Sequence, residues 1–208
     1  MAQEPNDRKL SAIRKFCRAH GDPKVVAKYT KYFTEGYDAF GVPGPMMEAQ
    51  RDAWLADWAG LGRDGFLDLG GRLVRTGKYE EGSFALWFAA SFRREHTAAT
   101  YARLGAWLDE GGYRNWGHVD AFCALVLSPL LLDGVVKPRA MAEWRSSPSK
   151  WKRRAVPVAL IPLVKRGDPV GGLLAFVSPL MRDADKPVQQ ALGWFLREAW
   201  KKDPAPVE

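Results

Sequence analysis

Cysteine and histidine are scarce in this chain of 208 residues: two cysteines, Cys17 and Cys123, and three histidines, His20, His96 and His118. Two cysteines so far apart make neither a disulfide framework nor a CxxC metal site, and the histidines lack HExxH spacing. Structural zinc and dithiol redox chemistry are therefore poor readings. Long apolar runs are also missing. The best, Ala121 to Leu132, is interrupted by Ser128 and Pro129 and stops at Asp133, short of the roughly 20 residues a bilayer span needs. The first residues, MAQEPNDRK, carry no apolar core of a secretory signal. Strand signals are few: no Asn-Gly or Asp-Gly turn sits between alternating runs, and no β-α-β alternation carries a glycine-rich phosphate loop. What remains is a soluble, cytoplasmic, all-α chain with no membrane association.

Helical punctuation is abundant. Asn6 is a candidate cap for a helix to about His20, with Leu10, Ile13, Phe16 and Cys17 on one face. Asp22-Pro23 is a cap followed by proline at the first helical position, opening a helix to about Phe33. Gly36 to Gly44 reads as a loop, and Pro45 opens a helix with Met47, Trp54, Leu55 and Trp58 as its buried stripe. Further helices are expected at about 63–76, 79–92, 97–110, 115–132, 137–146, 148–166, 169–182 and 186–202. Pro157 and Pro162 inside one of them predict a kink or break, since each removes a donor and crowds the preceding turn. Pairs of such helices occupy roughly 35–45 residues, the range of HEAT and armadillo repeats; a compact bundle is the competing architecture. The length suits a single domain over 1–208, with short polar ends at 1–6 and 203–208.

Charge is the first functional clue. The net charge is +7, and Lys137 to Lys202 alone carries +9, leaving −2 for the rest. A basic segment of this kind favours an anionic partner, although a solvated face is the bland alternative.

Three stretches could carry chemistry. In Asn115-Trp116-Gly117-His118-Val119-Asp120 the indole and the carboxylate are four apart and share a helical face; the bland reading is a capped helix with Trp116 in the core and Asp120 exposed or salt-bridged. His118, two residues from Asp120, points elsewhere, to packing or solvent. In Ser149-Lys150-Trp151-Lys152-Arg153-Arg154 four cations open a helix, beside amides that also favour anions, and such a cluster suits DNA phosphates. In Gly193-Trp194-Phe195-Leu196-Arg197-Glu198 the indole and guanidinium are three apart, and Gly193 permits close approach; core packing is the ordinary explanation.

Together these stretches resemble the DNA alkylation-repair glycosylases of the AlkD type, which are HEAT-like helical-repeat solenoids. The resemblance begins near Lys28 with KYTKYFTEGYDAFGVPGP. It continues through LVRTGKYEEGSFALWFAA, NWGHVD, SPSKWKRRAVPVAL and VQQALGWFLREAWKKDP. The order W-x-x-x-D, W-x-x-R-A, G-W-x-L-R-E is its specific part. The resemblance implies a right-handed superhelix of antiparallel helix pairs, with Asp120 as the catalytic carboxylate and Trp116 and Trp194 lining the cleft around the damaged nucleotide. It implies that Arg154 holds the DNA backbone, with Arg153, Lys152, Lys150 and Arg197 as further DNA-binding residues, and that Tyr29 or Tyr32 is the cleft tyrosine. The partner implied is double-stranded DNA bearing alkylated bases, engaged by a monomer with no metal or organic cofactor. The reaction implied is hydrolytic release of 3-methyladenine or 7-methylguanine in base excision repair, with the base left stacked and no lyase step. Two rivals stand beside this reading: a non-catalytic relative that recognises distorted or damaged backbone, and a helical-repeat scaffold for a protein partner. The chain departs from the family's frequent W-D-x-x-D by carrying Gly117, and it ends soon after the GWFLRE helix.

Overall fold

In the computed structural model, residues 5–109 and 111–208 are described. They form eleven α-helices joined by short 3₁₀ turns, with no strand among the described residues. The helices are α1 Pro5–His20, α2 Pro23–Thr30, α3 Gly44–Asp57, α4 Gly62–Arg75, α5 Tyr79–Ser91, α6 Ala98–Gly105, α7 Trp116–Phe122, α8 Ser128–Leu132, α9 Lys150–Arg166, α10 Val170–Val177 and α11 Lys186–Lys202. None is long and apolar enough to cross a membrane. The chain groups into two compact units: Met1–Glu95 with Gly111–His118, and His96–Glu110 with Val119–Glu208. The division falls within α7.

The first unit is built on α4 packed against α5, with α1 across both. Phe66, Leu69, Leu73, Phe84 and Phe88 are fully buried there, and Ile13 of α1 closes the core. Asp22 caps α2 by accepting the Lys24 amide at 2.8 Å, with Pro23 following as expected. Asn6 is not a cap: it lies inside α1, and its Oδ1 is buried without a partner. The α2 helix also ends three residues early. Tight turns follow, Tyr32 N–H to Tyr29 O and Phe33 N–H to Thr30 O, and these swing Phe33 inward to stack on Tyr37 at 4.7 Å. Burying one aromatic ring outweighs continuing an exposed helix by one turn.

The second unit centres on α9 packed against α11. Ser149 caps α9 by accepting the Lys152 amide at 3.3 Å, and its own hydroxyl donates to Leu108 O at 2.6 Å. Of the kink or break expected, the break does not occur: α9 runs unbroken through Pro157 and Pro162. Both prolines sit in a helix buried along most of its length, and packing on that scale offsets two missing backbone bonds. The irregularity appears instead before Pro129, where Cys123–Leu127 is a π-helical turn between α7 and α8. The wider turn accommodates a residue with no N–H and a ring that would strike the carbonyl four residues earlier. Segment 137–146 is two 3₁₀ turns, Pro138–Met141 and Glu143–Ser146, rather than one helix.

Candidate functional site

Asp120 lies on α7, and its carboxylate is held by Arg154 of α9 in a two-pronged ion pair. The guanidinium donates Nε–H to Oδ1 and Nη2–H to Oδ2, both at 2.9 Å. Its Nη1 donates to Pro187 O at the start of α11. The Arg154 side chain is 7% exposed and that of Asp120 is 20%. A planar fork of donors matched to both carboxylate oxygens fixes the orientation of the acid, and the remaining lone pairs keep access to solvent. The backbone-holding role expected of Arg154 would have to draw on a guanidinium that is already buried, with each nitrogen donating inside the protein.

The rest of the cationic run is likewise committed. Arg153 donates Nε–H to Asp183 at 2.6 Å and also pairs with Asp185, and Lys152 pairs with Asp109. Asp185 precedes α11 but makes no side-chain cap, because its carboxylate serves Arg153. Hydrogen bonding to the two aspartates pushes the Arg153 pKa further up. Lys150 lies over the Trp151 ring, 5.3 Å from its centre. A segment that reads as four solvated cations is mostly an internal ion-pair network. Trp194 on α11 is half-buried, while Arg197 is exposed beside Glu198. A Cβ at Gly193 would meet nothing within 4 Å, so no protein neighbour requires that glycine.

In the first unit a cavity of about 610 Å³ is lined by Tyr29, Tyr32, Phe33, Tyr37, Trp87 and Trp116, with Lys28 at its edge. Both tyrosines left open by the sequence therefore line it. Trp116 is 42% exposed, which contradicts the bland core reading. Its indole N–H donates to Tyr32 O at 3.0 Å, and its ring stacks on Phe33 at 5.5 Å. Gly117 has a steric reason: a Cβ there would sit 3.3 Å from both Phe33 and the Asn115 side chain. The loop beside the cavity is pinned by Glu80, a buried carboxylate that sequence reading passed over. It accepts from the amides of Phe40, Gly41 and Val42 at 2.9, 2.7 and 3.2 Å. Lys28 and Lys31 were also passed over. Each lies over the adjacent tyrosine, 5.2 Å from the Tyr29 ring centre and 5.1 Å from that of Tyr32. The doubled Lys-Tyr of KYTKY was the signal: cation and aromatic interleaved on an exposed helix end.

Among the described residues no group of three or more His, Cys, Asp or Glu is placed to hold a metal ion. The second unit offers a fixed carboxylate, and the first offers an exposed indole and an aromatic cavity with lysines beside it.

The family model for DNA alkylation repair enzymes matches residues 13–208. The chain belongs to that family. A solved structure described as a predicted DNA alkylation repair enzyme from Enterococcus faecalis is similar to it, with a TM-score of 0.75, 19% identity, and coverage of 90% of this chain and 87% of that one. At that identity the likeness is one of fold. No curated protein matches the chain. Within the DNA alkylation repair enzyme family, the aromatic cavity and the Asp120–Arg154 pair are this member's candidate working parts.

Proposed function

We propose that this chain is a DNA glycosylase that hydrolyses the N-glycosidic bond of positively charged N3- or N7-alkylpurines in duplex DNA, without turning the base out, and leaves an abasic site. The observation that carries the reading is Asp120: a carboxylate held in one orientation by a buried guanidinium yet still open to solvent, within a chain of this family. Alkylation gives the purine a positive charge, so it departs with the electron pair of the C1′–N bond and leaves neutral. The deoxyribose gains oxocarbenium character as the bond lengthens. A fixed carboxylate stabilises that charge and orients a water whose oxygen adds to C1′; the water proton passes to the carboxylate and on to solvent. The indole faces of Trp116 and Trp194 favour the cationic sugar and base. Arg154 acts on this chemistry through Asp120, as its orienter. The exposed lysines beside Tyr29 and Tyr32 supply contacts to the phosphates.

The same ion pair also fits a second reading, a non-catalytic DNA binder in which Arg154 offsets the carboxylate's charge. Asp120→Asn separates the two. It changes charge with little change of shape and is expected to cut single-turnover release of 7-methylguanine by roughly 100-fold or more while duplex affinity persists. Unfolding curves control for the acceptor lost opposite Arg154. Undiminished release by a folded Asp120→Asn variant would clear Asp120 of the role.

A further inference from the structure

His118 lies within the α7 sequence between Trp116 and Asp120 but is buried in the first unit, where its ring stacks on Tyr79 at 4.4 Å and tilts against Tyr113 at 5.0 Å. Both of its nitrogens are engaged. The Asn115 amide nitrogen donates to Nδ1 at 3.0 Å. The Asn115 oxygen cannot take that place by a flip, because it already accepts the His118 backbone amide at 2.9 Å and so caps α7. Nδ1 is therefore the acceptor, and Nε2 carries the hydrogen. That hydrogen is directed to Tyr79 O at 2.9 Å, with Ser83 Oγ at 3.1 Å also within reach; the Ser83 hydroxyl itself donates to Tyr79 O at 2.9 Å. Donors and acceptors balance only for the neutral ring, since a proton on Nδ1 would face the Asn115 N–H group.

The slot that admits the ring is built into α5. Gly82 lies in the first turn of α5, where glycine costs up to about 1 kcal/mol relative to alanine. A Cβ there would lie 2.8 Å from His118 Cε1 and 3.2 Å from Tyr113. The His118 ring in this position thus requires a residue without a Cβ at 82. The other ionisable groups nearby are occupied or neutral. Glu80 holds the loop amides of 40–42, Glu81 pairs with Arg14, and Arg114 lies along Gly77. Burial pushes the Tyr79 and Tyr113 hydroxyls upward.

We propose that His118, wedged as a neutral imidazole against Gly82, is the positioning residue that ties the first turn of α7 to the first turn of α5 and thereby aims the Trp116 indole for its work on DNA. The residue touches no substrate; it acts through the Asn115 cap and the turn that carries Trp116. The consequence for catalysis rests on the glycosylase reading, whereas the aiming of the indole does not.

The test pairs two readouts in intact protein. 5-Fluorotryptophan labelling, with the Trp116 signal assigned from Trp116→Phe, reports the indole, and single-turnover base release reports the reaction. His118→Phe preserves an aromatic ring on Tyr79 and Tyr113 but removes both polar contacts. It is expected to move the Trp116 fluorine resonance and to slow release roughly 10- to 100-fold with duplex Kd little changed. Gly82→Ala, which displaces the ring, should reproduce both effects, and His118→Gln, which restores a donor to Tyr79 O, should recover part of each. A folded His118→Phe with the native Trp116 resonance would overturn the proposal. If the wild type releases no base, the glycosylase reading fails, and the fluorine readout still decides the positioning claim by itself.

Discussion

The two units handle charge in opposite ways. The second contains the strongly basic segment Lys137 to Lys202, at +9, yet it spends Arg153 on Asp183 and Asp185, Lys152 on Asp109, Arg154 on Asp120 and Arg166 on Asp168. The first unit has no such basic segment, yet it sets Lys28 and Lys31 over exposed tyrosines beside an aromatic cavity. A count of basic residues measures composition; contact with phosphates depends on which cations keep their donors open. Ion pairs convert a basic segment into cross-links between helices, and two lysines outside such pairs can matter more to DNA than four inside them.

The sharpest way to break this contrast is Arg154→Ala. If Arg154 belongs to the protein, its loss leaves Asp120 partly buried without a counter-charge and costs about 2–3 kcal/mol in denaturant unfolding, below the roughly 3–5 expected for a fully buried pair. Arg154→Lys should regain less than half, since an ammonium cannot make the two-pronged contact. Unchanged stability with a flatter salt dependence of DNA binding would return Arg154 to the phosphates.

Acid sharpens it next. Burial holds the His118 pKa down at about 4, against 6.5 for a free imidazole. The unfolded chain therefore binds a proton at this site between those values while the folded chain does not. The site's contribution to stability is complete above pH 6.5 and is lost progressively as pH falls toward 4, up to about 3 kcal/mol. The difference between wild type and His118→Phe across that window, in unfolding free energy, isolates the term; a parallel pH profile would contradict it.

Lysine and arginine substitutions then compare the units directly. Lys28→Ala and Lys31→Ala should each lower the salt slope of duplex binding by about one and leave stability within about 0.5 kcal/mol. Arg153→Ala should do the reverse, lowering stability with the slope unchanged. The smallest effects are at glycines. Gly193→Ala, with open space around it, should gain up to about 1 kcal/mol of stability, and Gly117→Ala should gain less because its methyl presses on Phe33. Thermal unfolding of the two variants side by side checks the order.

Sequence alone was most informative where a single local rule decides. Asp22-Pro23 falls where its cap places it and the helix at 186–202 where periodicity does, because these signals act over four residues. Pro157 and Pro162 do not break α9, since burial along it outweighs a local penalty and burial is not written locally. The early end of α2 has the same origin in the pull on Phe33 from Tyr37 and Trp116. At the site, Trp116, Asp120, Tyr29 and Tyr32 were visible as residue types in a recognisable order. The fate of Arg154 was not, because its partner lies 34 positions away and an arginine written among lysines looks solvated. The amides that Glu80 holds and the contact of His118 with Tyr79 escaped for a related reason: each partner lies nearly 40 residues away.

The account's central claim is that the chain removes cationic purines from DNA, and the most direct measurement is chromatographic quantification of free base released from methylated duplex by the purified protein. The account predicts 7-methylguanine or 3-methyladenine accumulating well above the spontaneous rate, with the strand left unbroken at the abasic site. Release no faster than in protein-free controls, under conditions where the protein binds that duplex, would contradict it.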